Sequence, residues 1–381
     1  MASARPDLRI SFYGDPSAYD ASALSELERA GIATRTLNWS LGRSWYDRPF
    51  HIRLRRKLLI ASGRVDSDRD RYIGGKLLDE LAQIGPKHDL IYFPWPYRFP
   101  VPQWSTPTVA TIHDLNYKYF FGSPIFGPLA QTIDGQMKDW LRSATAVTSS
   151  EFMAGEIAHF YPGTRPASVV RLTTFVDRVL APDERSKSLP RMVSKPYVLC
   201  VNNTTSHKNM GAMIGAIPAI RSKHPNVNVV FAGSGTHEAN GRIRGTGVAH
   251  DEHTPDVIGL GYVSNDEIEA LIQDAAVVVN ASLYEGGNGS GLDAWSLGTP
   301  VAMSDIPPFR EHIAALGVEA AFFNPREVSE IAAAVSAVLE DPAAWAQAAH
   351  RSKAAIDKRT WQDVAQEYLS VFDGTIGGNR A

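Results

Sequence analysis

One cysteine in 381 residues, Cys200, rules out an intrachain disulfide, so packing alone must hold the fold. Such sparing use of cysteine suits a reducing compartment. Its setting in the apolar run YVLCV reads as a buried, inert thiol. Long hydrophobic runs are also missing. None approaches the ~20 residues that span a bilayer, and the lead MASARPDLRISFYG lacks the apolar core of a signal peptide. A cytoplasmic protein is expected, with contact at the inner face of the cell membrane as the one peripheral alternative. Charge of either sign is not in excess: 38 basic against 41 acidic residues give −3, which carries no polyanion-binding signature, so nucleic acid is not an expected partner. No repeat of 20–50 residues and no low-complexity tract is found.

What is present is an alternation of short β-type runs and helix-type stretches, the pattern of parallel sheets covered by helices. Strands are expected at 8–13, 89–93, 108–112, 144–149 and 168–172, and again at 197–201, 227–232, 257–260, 277–282 and 299–303. The length suits two α/β domains. Residues 181–195, APDERSKSLPRMVSK, break the pattern and read as a linker between domains 1–180 and 196–357. Ser264 with Glu267 forms a capping box before a helix at 265–275. Helices are also expected at 209–223, 327–340 and 342–356. In 360–373, Trp361, Val364, Tyr368 and Val371 fall near one helical face that needs a packing partner.

Chemistry gathers in two loops. Segment 284–300, YEGGNGSGLDAWSLGTP, is a glycine-rich turn between a strand and a short helix. Glycines admit close approach of backbone N–H groups, and a helix N-terminus favours an anion. Glu285 and Asp293, eight positions apart, are placed to hold two ends of one ligand, although Ser290 and Asp293 also fit a pattern in which Asp293 caps its own helix. Segment 201–209, VNNTTSHKN, sets His207 and Lys208 at the mouth of the next helix, where a compact cation suits phosphate oxygens. A protonated His207 adds a second charge and predicts pH sensitivity between about 6 and 8.

Taken together these segments resemble the retaining glycosyltransferases of family four, over about residues 197–372. Val201, Lys208 and Asn209 match the family's strand-VGxxxxRKN pattern, with Asn202 in place of its glycine and His207 in place of its arginine. VNVVFAGSG (227–235) and GYVSNDE (261–267) match its G-x-G turn and its GxV stretch. Glu285 and Asp293 match the E-x7-E signature, Gly298-Thr299-Pro300 its GTP triplet, and SDIPPFRE (304–311) continues it. Asp293 is one methylene shorter than the family's glutamate, and GNGSG (287–291) replaces the usual FGLPx.

The resemblance implies a GT-B fold: two facing doubly wound Rossmann-like domains, with a final helix (358–381) crossing back to the first. It implies transfer of a hexosyl group from a nucleoside-diphosphate sugar to an acceptor hydroxyl, with retention and without a metal or other cofactor. The HDL and SDIPPFRE segments look like those of bacterial surface-polysaccharide enzymes, which favours a GDP- or UDP-linked hexose such as mannose. Glu285 then faces the sugar, Asp293 the ribose, and His207 with Lys208 the diphosphate. Gly14, Asn202, Gly235, Tyr262, Val263, Gly286, Gly287, Asn288, Gly289 and Ser290 complete the donor site. His113, in TVATIHDLNY (108–117), stands near the transferred sugar with Asp114 beside it. Asp114, Trp95 and Tyr97 are the acceptor residues, the acceptor being a glycan, a lipid-linked sugar or a small molecule. The aromatic segment 92–104, which also holds Trp104, reads equally well as a packed loop, and HIRLRRKLLI (51–60) as a solvated face or a membrane contact.

Two-domain nucleotide-binding enzymes of other kinds are alternatives. A nicotinamide oxidoreductase needs G-x-G-x-x-G, but the first strand runs into GDPSAY and Glu238 stands where the third glycine after Gly233 and Gly235 belongs. A non-catalytic sugar-nucleotide binder and a sugar-nucleotide epimerase remain. Adjacent His250, Asp251, Glu252 and His253 cannot converge on one ion, so no metal site is expected there.

Overall fold

The computed structural model describes residues 5, 7–14, 21–36, 78, 81–97, 99, 101, 102, 104–120, 130–176, 178–237 and 257–378. Asp15, the basic segment 51–60, Glu238 and the cluster 250–253 lie outside them. The chain forms two compact units, one of Met1–Thr148, Ala154–Val170 and Trp361–Ala381, the other of Ser149–Met153 and Arg171–Thr360.

In the first unit β1 (Ser11–Gly14) pairs in parallel with β2 (Ala33–Thr36), with α1 (Ala21–Arg29) between them in sequence. A second parallel sheet runs β3 (Ile91–Phe93), β4 (Thr108–Thr111), β5 (Thr145–Thr148), β6 (Ser168–Val169). All four residues of β4 are buried. The helix α2 (Ala130–Ser143) buries Ile133, Met137, Trp140 and Leu141, a stripe at helical spacing. The helix α3 (Glu151–Phe160) begins in the second unit and continues in the first.

The last helix, Trp361–Gly378, belongs to the first unit. It buries Val364, Ala365, Tyr368, Leu369 and Phe372, while Trp361 is 45% exposed. The inward stripe is therefore turned from the expected one, because Leu369 and Phe372 outweigh Trp361 and Val371. The Tyr368 hydroxyl lies 3.0 Å from Thr111 Oγ1, and the Tyr92 ring stands 5.5 Å from the rings of both Tyr368 and Phe372.

The second unit is a six-stranded parallel sheet in the order β12-β11-β10-β7-β8-β9. Its elements are α4 (Pro182–Ser188), β7 (Tyr197–Val201), α5 (Met210–Lys223), β8 (Asn228–Ala232), β9 (Val257–Gly259), α6 (Asn265–Asp274), β10 (Val277–Asn280), α7 (Gly289–Ser296), β11 (Val301–Ser304), α8 (Pro307–Leu316), β12 (Ala321–Phe323), α9 (Val328–Glu340) and α10 (Pro342–Ile356). Residues 181–195, read from sequence as a linker, hold α4 and lie inside this unit.

The strand alternation feeds two cores. Val198 and Cys200 join Val229, Phe231, Val277 and Val279 under α5 and α9. Tyr197 and Leu199 join Val230, Val278, Leu271 and Trp295 on the opposite face. Cys200 is 1% exposed, and burial pushes its thiol pKa up, as expected of an inert core thiol. Ser264 and Glu267 form the capping box of α6, with Glu267 N–H donating to Ser264 Oγ at 3.3 Å and Ser264 N–H to Glu267 Oε2 at 2.8 Å.

The ten expected strands are all present, and β2 and β12 are additional. ATRT and AFF are too short to display a period of two. The order of the six strands is that of a dinucleotide-binding sheet, with the reversal between β7 and β10. Ligands of such sheets bind outside the carboxyl ends of the strands at that reversal.

Candidate functional site

The loops after β7 and β10 are the two segments singled out from sequence, and the reversal makes them neighbours. Residues Ser206–Lys208 form one 3-10 turn, and Asn209 follows in the left-handed conformation at φ 55°. The Asn209 side chain donates to the carbonyls of Ala281 (3.1 Å) and Pro325 (2.7 Å). Leu283 N–H donates to His207 O at 2.7 Å. These bonds hold the two loops together and bring Lys208 to Glu285, with Nζ donating to Oε1 at 2.6 Å. Ser282 Oγ donates to the same oxygen at 2.6 Å. Both partners of the ion pair are mostly covered, their side chains 22% and 14% exposed. Among the described residues Oε2 takes no hydrogen bond.

His207 is buried at 7% exposure. Burial and then the Lys208 charge push its pKa down to about 4, against the opposing pull of Glu285. The imidazole is thus neutral between pH 6 and 8, which corrects the expectation of a second charge and of pH sensitivity in that window. A histidine depressed in the fold adds stability above its unfolded pKa of about 6.5, and that stability falls as acid approaches the folded pKa. Chemical denaturation at steps from pH 7 to pH 4 should therefore show His207→Gln losing less stability than the parent chain. Equal losses would show that His207 does not stay neutral in the fold.

The helix α7 opens at Asn288, whose side chain makes no cap bond. Asn288 is 3% exposed, and among the described residues neither of its amide atoms has a hydrogen-bond partner. Gly291 makes room for it, since a Cβ there would lie 2.4 Å from Asn288 Oδ1. Ser290 Oγ accepts from Asn280 at 3.2 Å. Asp293 does not cap its own helix. Its Oδ1 accepts from Thr174 Oγ1 at 2.9 Å and from Phe175 N–H at 3.0 Å, and burial raises its pKa against those two bonds.

At the ends of β8 and β9, Gly233 adopts φ 135° and a Cβ there would meet Asn202 O at 2.0 Å, so the G-S-G turn must be glycine where it touches the Asn202 loop. Gly235 sits likewise against Thr204. Gly233 N–H donates to Gly261 O at 2.7 Å, which ties this turn to the GYV stretch. Tyr262 is 86% exposed, and Val263 packs on the core.

In the first unit, Trp95, Tyr97, His113 and Asp114 line one small hollow of about 10 Å³, together with Ile112 and Met137. The His113 ring stacks on Trp95 at 4.7 Å and 23°, and its Nε2 lies 2.7 Å from Pro94 O. A carbonyl only accepts, so Nε2 carries the proton and neutral Nδ1 is the acceptor. Burial lowers the His113 pKa, opposed by Pro94 O and Asp114. Asp114 Oδ1 accepts from Asn116 N–H at 3.0 Å. Trp104 is a packing residue, bonded to Thr108 Oγ1 at 2.9 Å and set against Phe93. Gly14 ends β1 and does not line the hollow.

Sequence reasoning missed Ser282, Thr174, Ser149 and Ser150. Ser282 is separated from Glu285 by two residues in the strand-end loop, a signal available in the sequence. The other three come from distant segments and carry no such signal. No group of three or more histidine, cysteine or carboxylate side chains suited to a metal occurs among the described residues. No described helix is long and apolar enough to cross a membrane.

Residues 195–341 match the family model described as glycosyl transferases group 1. Glycogen synthase of Mycobacterium tuberculosis is 29% identical over 288 residues, 73% of this chain and 65% of that protein. The serotype-specific mannosyltransferase WbdA of Escherichia coli is 25% identical over 292 residues, 72% of this chain and 35% of that protein. Neither relative is matched over two thirds of its own length. Among solved structures, the α,α-trehalose-phosphate synthase (UDP-forming) of Burkholderia vietnamiensis superposes with a TM-score of 0.66 at 15% identity, covering 98% of each chain. Over residues 195–341 this chain is thus similar to the glycosyl transferases group 1, and its fold is GT-B.

Proposed function

We propose that this chain transfers a hexosyl group from a nucleoside-diphosphate sugar to an acceptor hydroxyl, with retention of configuration and without a metal. The observation that carries the reading is the Lys208–Glu285 pair at 2.6 Å, set at the strand-order reversal beside the uncapped N-terminus of α7. In such a reaction negative charge grows on the departing diphosphate while the sugar gains oxocarbenium character. A fixed ammonium and a helix N-terminus lower the barrier by being aimed at that charge beforehand. Lys208 serves the diphosphate and Glu285 the sugar. His207, neutral, contributes at most a hydrogen bond.

Asp293 is assigned to the ribose through Oδ2, since both of its protein bonds fall on Oδ1. Gly235, Tyr262 and Val263 are assigned to the base, and Asn202 and residues 286–290 complete the donor pocket. Asp114, Trp95 and Tyr97 are assigned to the acceptor, and His113 to the transferred sugar on the resemblance alone. The relatives named glycogen synthase and mannosyltransferase support a hexose donor and a role in building glycans. The resemblance read from sequence leaves UDP and GDP as the candidate bases, so both are tested.

Thermal shift against UDP, GDP, ADP and dTDP, followed by turnover of UDP-glucose and GDP-mannose, tests the reading. One diphosphate should raise the melting temperature at millimolar concentration, because a ligand of the native state stabilises it by mass action. The shift should shrink in Asp293→Asn, whose amide keeps Oδ1 and loses the charge. No shift with any nucleotide and no turnover of either donor would reject the proposal.

A further inference from the structure

The loop that carries Glu285 has glycines at 286, 287 and 289, so its backbone has little stiffness of its own. Beyond Glu285 the loop is fastened at a carbonyl. Ser149 Oγ donates to Gly286 O at 2.9 Å and Ser150 Oγ to the same oxygen at 3.1 Å. Both serines are buried, at 6% and 0% exposure. A carbonyl oxygen has two lone pairs, and both are used here.

The serines are themselves clamped. Glu311 accepts the N–H groups of Glu151 and Phe152, each at 2.8 Å, and takes Arg171 Nη2 at 2.9 Å. Ser150 Oγ also accepts Met153 N–H at 3.2 Å, and Tyr284 OH donates to Met153 Sδ at 3.2 Å. The strip 149–153 is thus tied on one side to α8 and on the other to the residues flanking Glu285.

A trans peptide is planar, so its C=O and N–H point in opposite directions. Fixing Gly286 O toward the serines therefore fixes Gly287 N–H away from them, two residues beyond Glu285 and one before Asn288, the N-cap of α7. Residue 287 has no side chain to orient the loop, and a Cβ there would stand 3.4 Å from Ser149 Oγ.

We propose that Ser149 and Ser150 are positioning residues that hold the Gly286–Gly287 peptide so that Gly287 N–H is a fixed donor to a hydroxyl of the transferred sugar. This rests on the glycosyltransferase reading above. It assigns the pair to the sugar and leaves the nucleotide to Lys208 and Asp293.

The test uses the full chain with UDP-glucose and GDP-mannose as donors and UDP and GDP as binding probes. Ser149→Ala/Ser150→Ala should lower kcat for donor turnover by about 10²-fold, the loss that a displacement of ~1 Å brings to an aligned group. Calorimetric affinity for the bare nucleotide should stay within about 2-fold, because the nucleotide does not meet Gly287. Ser149→Thr and Ser149→Val have nearly the same shape and differ by the hydroxyl. The threonine variant should keep most of the activity and the valine variant should lose it, which preserves the test if the double variant does not fold. Wild-type kcat in the double variant and in Ser149→Val would overturn the proposal. So would a parallel loss of kcat, nucleotide affinity and melting temperature shared by Ser149→Thr. A wild-type chain inert toward both donors overturns the underlying reading, and is told apart because no variant then differs from it.

Discussion

Replacing Lys208 by alanine is expected to lower donor turnover by about 10³-fold, the upper range for removing one preorganised group from a developing charge. The ammonium stands 2.6 Å from Glu285 Oε1 and is 22% exposed, so little water is available to take its place. Affinity for the bare diphosphate should fall as well, since the same charge meets the ground-state phosphate. Two effects mix in this variant. Glu285 also loses its cation and keeps Ser282 as its remaining donor, which costs stability as well as catalysis. Lys208→Ala/Glu285→Gln separates them. The second change removes the uncompensated carboxylate, so the melting temperature should recover; catalysis is read from Lys208→Ala alone, because Glu285 itself is assigned to the sugar. Single-turnover kinetics with both donors, beside thermal melts of the three proteins, give the answer. Wild-type kcat in Lys208→Ala would take the lysine out of the reaction.

Deleting residues 361–381 is expected to unfold the first unit, the largest effect on stability foreseen for this chain. The last helix buries Val364, Ala365, Tyr368, Leu369 and Phe372. At roughly 1.5–3 kcal/mol for each large apolar side chain, their removal costs on the order of 10 kcal/mol. That is comparable with the whole stability of an ordinary domain, about 5–15 kcal/mol. It also strips Tyr368 from Thr111 in β4, the buried central part of its sheet, and Asp373 from Arg5 near the start of the chain. The second unit loses none of its own residues, since it ends at Thr360. Hydrogen exchange of the truncated protein should show protection lost in β3–β5 and kept in β7, β8 and β10. Retained protection in β4 would show that the helix is dispensable to that sheet.

The last helix shows what a sequence can say about such a segment. Its helical character and its need for a partner were legible from the spacing of Val364 and Tyr368. Which face turns inward was not, because Trp361, Val371, Leu369 and Phe372 offer competing stripes, and only the available surface chooses among them. The same division runs through the site. The strand-glycine-helix pattern and the choice of Lys208 and Glu285 as candidate residues were readable, since each loop follows a strong strand and the family pattern spans both; their ion pair was not. His207 was misjudged because a sequence shows a histidine beside a lysine but not the burial that drives its pKa to about 4. For Asp293 the sequence left two roles open, and Thr174 with Phe175, more than a hundred residues earlier in the chain, excluded capping.

Local pattern by itself determined the α/β class, the ten principal strands, the capping box at Ser264 and the two loops of the candidate site. These follow from period, turn residues and caps, which act over a few neighbours. Only the tertiary structure decided the strand order that sets β7 beside β10, the fastening of Gly286 by Ser149 and Ser150, the assignment of residues 181–195 to the second unit and of the last helix to the first. Each of these depends on which buried surfaces meet, a sum over contacts between distant segments. No short window of sequence contains that sum.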